Sequence, residues 1–274
     1  MSDKQYGRFR YWLELGRWPD LHQPKRLTEK VRYIKLYQRT KLRSLVADRI
    51  KVRDYVAGKI GKEHLIPLID NVDELSKDIW SDLPAQFVLK ANHGSKMVRI
   101  IKNKEKRSFK KLHKATKRWQ GVDYYKFGRE WVYKKVPKTI VVEQLLRDKD
   151  GEIPEDYKFF CFNGKVKVIQ IDFDRFHNHS RNLYDRDFNL LAVRIGHPNK
   201  SGEVTQHPLL DNAIETAEKL SSDFDFIRVD LFLVNDQIYF GELTNYPNNG
   251  YTKFSPDEFD FTLGEKWSIK VTKP

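Results

Sequence analysis

Arg228, Asp230 and Glu242 carry the first chemistry legible in the chain, because the residues around them place all three on one side of a strand pair. The stretch FIRVDLFLVNDQIYFGELTNY, from Phe226 to Tyr246, has two alternating apolar runs around Asn235 and Asp236, the mark of a β-hairpin. A loop with an odd number of residues, Asn235 to Gln237, sets Asp230 opposite Glu242 and puts Arg228, Phe232, Phe240 and Thr244 on their face. Ile227, Val229, Leu231, Leu233 and Leu243 then form an apolar face for a core. A two-residue loop would push Glu242 into that apolar face, where an unpaired carboxylate is costly, so the odd loop is expected. Carboxylates facing each other repel unless a positive charge lies between them. A hard divalent cation, Mg2+ above all in a phosphate-handling site, supplies it through oxygen ligands, with Asn245 adding a carbonyl. Arg228 pairing with one carboxylate, the other being solvated, supplies it equally.

A second cluster of chemistry-bearing residues lies earlier. FVLKANHGSKMVRII reads as two strands joined by a polar loop, with Lys90 ending the first strand and Gly94 in the loop. Such a loop brings an ammonium and backbone N–H groups around phosphate oxygens, or is simply a hairpin. TIVVEQLLRD is a buried-type strand ending at Glu143. DYKFFCFNGKVKVIQIDF turns at Asn163-Gly164, with Lys158, Phe160 and Phe162 on one face of its first strand and Tyr157, Phe159 and Cys161 on the other. The polar segment after it contains His177, Asn178, His179, Arg181 and Tyr184, as expected of a substrate-facing loop or of one that is merely polar. The two histidines lack a third convergent ligand, so zinc is not expected.

The elements that position these groups follow from periodicity. Residues 1–60 read as mainly helical, with one helix from Thr28 through Tyr37 and another from about Lys41 through Ala57, ended by Gly58 and Gly61. Strands are expected at Leu65–Ile69 and Gln86–Lys90, and an amphipathic helix at Leu209–Ser221. The segment PNNGYTKFSPDEFDF reads as an irregular tail.

The chain has 274 residues, 39% of them hydrophobic and 13% aromatic, enough to bury a large core. No apolar run approaches the ~20 residues needed to span a bilayer. The start, MSDKQYGRFRYWLEL, lacks the apolar segment of a signal peptide, so a cytoplasmic location is expected, with the inner membrane face as a further place. Cys161 is the one cysteine, which excludes an internal disulfide and reads as a buried, inert thiol. The net charge of +13 implies attraction to polyanions, and KNKEKRSFKKLHKATK, from Lys102 to Lys117, is the densest basic run. An acidic glycan or an anionic membrane fits it. Nucleic acid is not expected, because no complete recognition motif accompanies the charge.

Taken in order, these pieces resemble the ATP-grasp superfamily, in particular its branch named for teichuronopeptide biosynthesis. The resemblance rests on PKRLTEKVRYIKLY, ADRIKVRDYV, FVLKANHGSKM, VVEQLL, EDYKFFCFNGKVK, VDLFLVNDQIYFGELTNYPNNG and FSPDEFDFTLG, and covers almost the whole chain. It implies an α+β fold in which two lobes with antiparallel sheets clamp ATP. The parts would be a helical N-terminal region at 1–60, a small nucleotide-lid lobe at 61–142 and a larger lobe with the metal site at 143–274. It implies that Lys90 contacts the phosphates and adenine region of ATP, with His93, Gly94, Ser95 and Lys96 as a lid. Glu143, Gln144, Leu145 and Leu146 would be the hinge reading the adenine edge, and Arg49 and Lys158 further nucleotide contacts. Asp230, Glu242 and Asn245 match the ligands of Mg2+ or Mn2+, and Arg228 the arginine that steadies the transferring phosphate. Asp48-Arg49 stands where relatives usually have Asp-Lys, and HGSK where a second glycine is usual.

The activity implied is an ATP-dependent carboxylate–amine ligase working through an acyl phosphate, joining an amino acid to a uronic acid in surface polysaccharide, free, nucleotide-linked or lipid-linked. The alternatives are a phosphotransferase acting on a glycan through the same cleft, and a non-catalytic basic module that binds nucleic acid or an acidic polymer.

Overall fold

The computed structural model describes residues 1–175 and 178–271, so His177, with the zinc and substrate readings attached to it, lies outside the described residues. In chain order the elements begin α1 (Asp3–Leu15), α2 (Leu27–Tyr37), α3 (Lys41–Val46), α4 (Val52–Ile60), β1 (Leu68–Val72), α5 (Lys77–Asp82), β2 (Phe87–Ala91) and β3 (Val98–Ile101). Then come α6 (Phe109–Gly121), α7 (Tyr124–Gly128), β4 (Ile140–Glu143), β5 (Asp156–Phe162), β6 (Lys165–Phe173), β7 (Ser180–Tyr184) and β8 (Arg194–Ile195). The last are α8 (Leu210–Ser221), β9 (Phe226–Val234), β10 (Gln237–Thr244), β11 (Phe254–Ser255) and α9 (Phe259–Glu265). Contacts divide the chain into two units, one of Met1–Thr40 with Pro154–Pro274 and one of Lys41–Ile153. The N-terminal helices are therefore shared: α1 and α2 fall in the first unit, α3 and α4 in the second.

The first unit is built on an antiparallel sheet in the order β10-β9-β5-β6-β7. One face is apolar, carrying Ile227, Val229, Leu231 and Leu233 of β9, all buried. Helix α8 packs there with its stripe of Leu210, Ala213, Ile214, Ala217 and Leu220, each large one stabilising by about 1.5–3 kcal/mol relative to exposure. The β5–β6 hairpin turns at Asn163-Gly164 as expected, and both residues have the positive φ, 50° and 72°, that a tight turn matching the strand twist favours.

The β9–β10 hairpin departs from expectation in an informative way. Val234 pairs with Gln237, so the loop is the two residues Asn235 and Asp236, not three. Asp230 nonetheless pairs with Glu242, because a β-bulge between Phe240 and Glu242 inserts Gly241 and flips the side-chain alternation. Phe240 consequently pairs with Leu231 and is buried on the apolar face, not beside Arg228 as the odd loop required.

The second unit has an antiparallel sheet in the order β1-β4-β2-β3. Phe87 and Leu89 of β2, Ile140 and Val142 of β4, and Leu112 and Trp119 of α6 form its core. Three other expectations are corrected. The helix expected from Lys41 through Ala57 is two, α3 and α4, because the Asp48 Oδ1 accepts the N–H groups of Ile50 and Lys51 at 3.0 and 3.2 Å and diverts the backbone into a turn. The strand expected at Leu65–Ile69 begins only at Leu68 and runs to Val72, since Pro67 precedes it. The tail expected to be irregular contains β11 and α9. Asp260 at the start of α9 accepts the Thr28 N–H at 3.0 Å and the Thr28 hydroxyl at 2.6 Å, tying α9 to α2. Among the described residues no helix is long and apolar enough to cross a membrane.

Candidate functional site

In the first unit the face of the sheet opposite α8 carries charge from strand to strand. Lys158 on β5 pairs in register with Asp230 on β9, and Asp230 with Glu242 on β10. One step along, Asp156 on β5 pairs with Asp172 on β6, and Asp172 with Arg181 on β7. Side chains two residues apart on a strand share a face, so these two rows form one polar surface.

Arg228 is its hub. Its Nε donates to Asp230 Oδ1 and its Nη2 to Asp230 Oδ2, both at 2.6 Å, a two-pronged pair. The same Nη2 reaches Glu242 Oε1 at 3.2 Å and Thr244 Oγ1 at 3.0 Å, and the Thr244 hydroxyl donates to Glu242 at 2.7 Å. Burial pushes the Asp230 carboxyl above the ordinary carboxylate range and Glu242 adds to the rise, against the pull of Arg228 and Lys158. Burial disfavours the charge on Arg228 too, but Asp230 and Glu242 outweigh it and hold the guanidinium firmly protonated.

Lys158 is buried and forms ion pairs with Asp156, with Asp172 at 2.9 Å and with Asp230 at 3.9 Å. Asp172 also accepts from Arg181 and lies 3.2 Å from His179 Nε2, while Arg175 pairs with Asp156. Burial would raise Asp172, yet Lys158 and Arg181 prevail and hold it below the ordinary carboxylate range. Asp156 and Asp172 escaped the sequence reading. Their signal was a single acid within each strand, Asp156 in DYKFFCF two residues before Lys158, and Asp172 in KVKVIQIDF.

A divalent cation can be tested against this arrangement by its donor chemistry. Asp230 and Glu242 present carboxylate oxygens to a single Arg228 nitrogen, so they converge on one point, and all nearby acceptors are hard oxygens. Asp230 is buried with its charge only partly offset, which a cation would relieve. The residues fit Mg2+ in this sense. Asn245 lies one residue beyond Thr244, past the end of β10 and buried; the group β10 brings to Glu242 is the Thr244 hydroxyl. Among the described residues no group of three or more His, Cys, Asp or Glu is placed to hold a metal.

In the second unit Lys90 donates to Glu143 at 2.5 Å across the β2–β4 pair, with Arg53 3.7 Å from the same carboxylate. Burial works against the Glu143 charge, but Lys90, Arg49 and Arg53 hold its carboxyl below the ordinary range. Gln144 donates its N–H to the Pro67 carbonyl, and Leu145 and Leu146 are buried. Arg49 clamps the loop after β2, donating to the carbonyls of Ala91 at 3.1 Å and Gly94 at 3.0 Å, while its own N–H goes to Asn92 and Asn92 binds Asp48.

Of the four loop residues, His93 is buried with its Nε2 3.0 Å from the Trp119 carbonyl, and burial lowers its pKa. Ser95 shares a hydrogen bond with Tyr124 at 2.5 Å. A side chain at Gly94 would collide with the Tyr124 ring, so glycine is required there. Lys96 is exposed in the left-handed region, with φ 63°. Cys161 is buried under α8, and burial pushes its thiol up to about 12, which removes it from nucleophilic chemistry.

A family model described as TupA-like ATPgrasp matches residues 29–268 of the chain. Among curated proteins none matches. Among solved structures, a D-alanine–D-alanine ligase from Bacillus anthracis is 16% identical, the alignment covering 73% of this chain and 57% of that one with a TM-score of 0.41. The D-alanine–D-alanine ligase from Helicobacter pylori is 15% identical, with 89% and 69% covered and a TM-score of 0.45. The N5-carboxyaminoimidazole ribonucleotide synthetase from Thermus thermophilus is 11% identical, with 80% and 51% covered and a TM-score of 0.43. The chain thus spans a little over half the length of the Bacillus anthracis ligase.

Proposed function

Because the chain belongs to the TupA-like ATP-grasp family, we propose that it is an ATP-dependent carboxylate–amine ligase, joining an amino acid to a uronic acid of a surface polysaccharide. The observation that carries this reading is the bulged β9–β10 hairpin, which gathers Asp230, Glu242, Thr244 and Arg228 at one point.

In this reading the acceptor carboxylate attacks the γ-phosphate of ATP, forming an acyl phosphate and releasing ADP. The amine then attacks the acyl carbon, loses a proton and expels phosphate, leaving an amide. The chain supplies position and field, with no covalent nucleophile. Lys90, anchored on Glu143, and Lys158, held among Asp156, Asp172 and Asp230, are the ammonium groups available to phosphate oxygens. Arg228 offers its guanidinium to the transferring phosphoryl group, whose negative charge is spread over three oxygens. Asp230 and Glu242, with a carbonyl from Asn245 or the Thr244 hydroxyl, would hold Mg2+. When bound, Mg2+ neutralises phosphate charge and orients the chain's donors around it. Ser95 and Lys96 are the loop groups left to move with nucleotide, whereas the buried His93 acts as an anchor of the loop, and Glu143 to Leu146 form the wall against adenine.

The test is ADP and phosphate release with MgATP against uronic-acid acceptors crossed with amino acids, with Glu242→Ala as control. Release that needs both partners, with an amide mass shift and loss in the variant, supports the ligase. An acceptor that gains only a phosphate mass would replace it with a phosphotransferase.

A further inference from the structure

The second unit contains a cavity that none of the chemistry above uses. It has a volume of about 320 Å³ and opens between β3 and the start of α6, lined by Arg99, Lys106, Arg107, Ser108 and Lys111 over a floor of Ile101 and Leu112. Arg99 pairs in register with Leu89, whose side chain faces the helix-side core, whereas Lys90 pairs with Val98 on the opposite face of the same sheet. The cavity is therefore separate from the Lys90–Glu143 pair.

Its charge continues along α6. From Lys102 to Arg118 the chain has nine lysines and arginines and a single acid, Glu105. Lys110, Lys114 and Arg118 recur every four residues on the exposed side of α6, a row about 12 Å long at 1.5 Å per residue. Leu112, Thr116 and Trp119 bury the other side. Lys104 is occupied in capping the carbonyls of Ser81 and Leu83, and Lys117 pairs with Glu74 at 2.5 Å. Lys110, Lys111, Lys114 and Arg118 are exposed cations crowded on one helix face, an arrangement that stores repulsion unless an anion covers it.

What the cavity lacks selects its occupant. No aromatic ring lines it, so unstacked nucleic-acid bases find no platform. Between Lys102 and Gly121 no large apolar side chain is exposed, so the helix has no anchor to bury in a lipid interface. A concave pocket with forked and point cations, continued by a charged row, suits discrete anionic groups spaced along a soluble chain.

We infer that this cavity and the exposed row of α6 form a binding site for an acidic glycan chain, one sugar carboxylate seated among Arg99, Lys106, Arg107 and Lys111 and further ones along Lys110, Lys114 and Arg118. The choice of an acidic sugar rests on the acceptor chemistry proposed above. The site would hold a polymer through groups other than the one that reacts and favour long acceptors over short ones.

The experiment measures binding of fluorescently labelled oligogalacturonates of increasing length to the full chain, with neither ATP nor Mg2+ present. Affinity should rise with length and weaken about tenfold or more in Arg107→Glu/Lys111→Glu, two counter-charges being lost and two repulsions added. Lys62→Glu/Lys135→Glu makes the same change in net charge at exposed positions elsewhere in the unit and should shift affinity far less. Bound oligogalacturonate should also protect Lys106 and Lys111 from acetylation in the unaltered protein. Equal weakening in both charge-swapped pairs, no protection, or tighter binding of a thymidine oligonucleotide or of phosphatidylglycerol vesicles overturns the proposal. Since no turnover is read, a protein that releases no ADP but shows this pattern loses the ligase reading alone, and one that ligates short acceptors without it loses only the glycan site.

Discussion

Gly241 lies against the backbone of Asp230: a Cβ at position 241 would sit 3.0 Å from the Asp230 carbonyl oxygen and 3.2 Å from the Phe232 ring. The bulge residue that turns Glu242 toward Asp230 is thus one where a side chain would be crowded. Gly241→Val should cost about 1–3 kcal/mol by overpacking, read as a lower denaturant midpoint. Deleting Gly241 should be tolerated better, because Phe240 already pairs with Leu231 and the residue after it then pairs with Asp230, which keeps Glu242 on the charged face. ADP release should persist where the deletion variant remains folded.

Lys158 neutralises a buried set of aspartates. Lys158→Met leaves Asp156 with Arg175 and Asp172 with Arg181, His179 and Gln170, and removing one partner of a buried ionic cluster costs about 3–5 kcal/mol. Urea unfolding should show a loss of that order. Lys165→Met, at an exposed ion pair with Glu218, should cost under about 1 kcal/mol.

Acid stability should follow Asp172 and Glu143. Both have folded values below their ordinary ones, 3.8 and 4.5, so the folded state binds fewer protons than the unfolded one near pH 4. Their contribution is complete above those ordinary values and drains away as pH falls through the lower folded values. The melting temperature should therefore drop as pH is taken below about 4.5. Asp172→Asn should be less stable at neutral pH and show a shallower decline.

Arg49 holds two carbonyls of the loop after β2 with one planar fork. Arg49→Lys keeps the charge but cannot donate to Ala91 and Gly94 in the same geometry. The KM for ATP should rise about tenfold, a change of ~1.4 kcal/mol, with a smaller effect on the melting temperature. Equal KM values in variant and parent would remove Arg49 from nucleotide positioning.

Cys161 should be silent to thiol reagents in the folded protein at pH 8, since burial pushes its thiol up to about 12, and should react fully in denaturant. Labelling of the native protein at the denatured rate would contradict its burial under α8.

Alternation and turn chemistry are local, and for that reason much was legible from residue order alone. The β5–β6 hairpin at Asn163-Gly164, the α8 stripe and the facing of Asp230 and Glu242 all follow from spacing within one segment. The facing of the carboxylates was reached through a wrong loop. Alternation counts residues and cannot see a bulge, which is decided by how β10 packs against β9 and the core beneath it.

The same limit explains Asp48, whose side chain breaks an otherwise helical stretch because Asn92, far along the chain, binds it in place. Asp156, Asp172 and Arg181 acquire meaning only when β5, β6 and β7 lie side by side, bringing charges from three strands within ion-pair distance. Sequence determined which residues had chemistry to offer and which segments would carry them. Only the tertiary structure decided their partners, because the energy of a buried charge depends on neighbours that residue spacing within a segment does not contain.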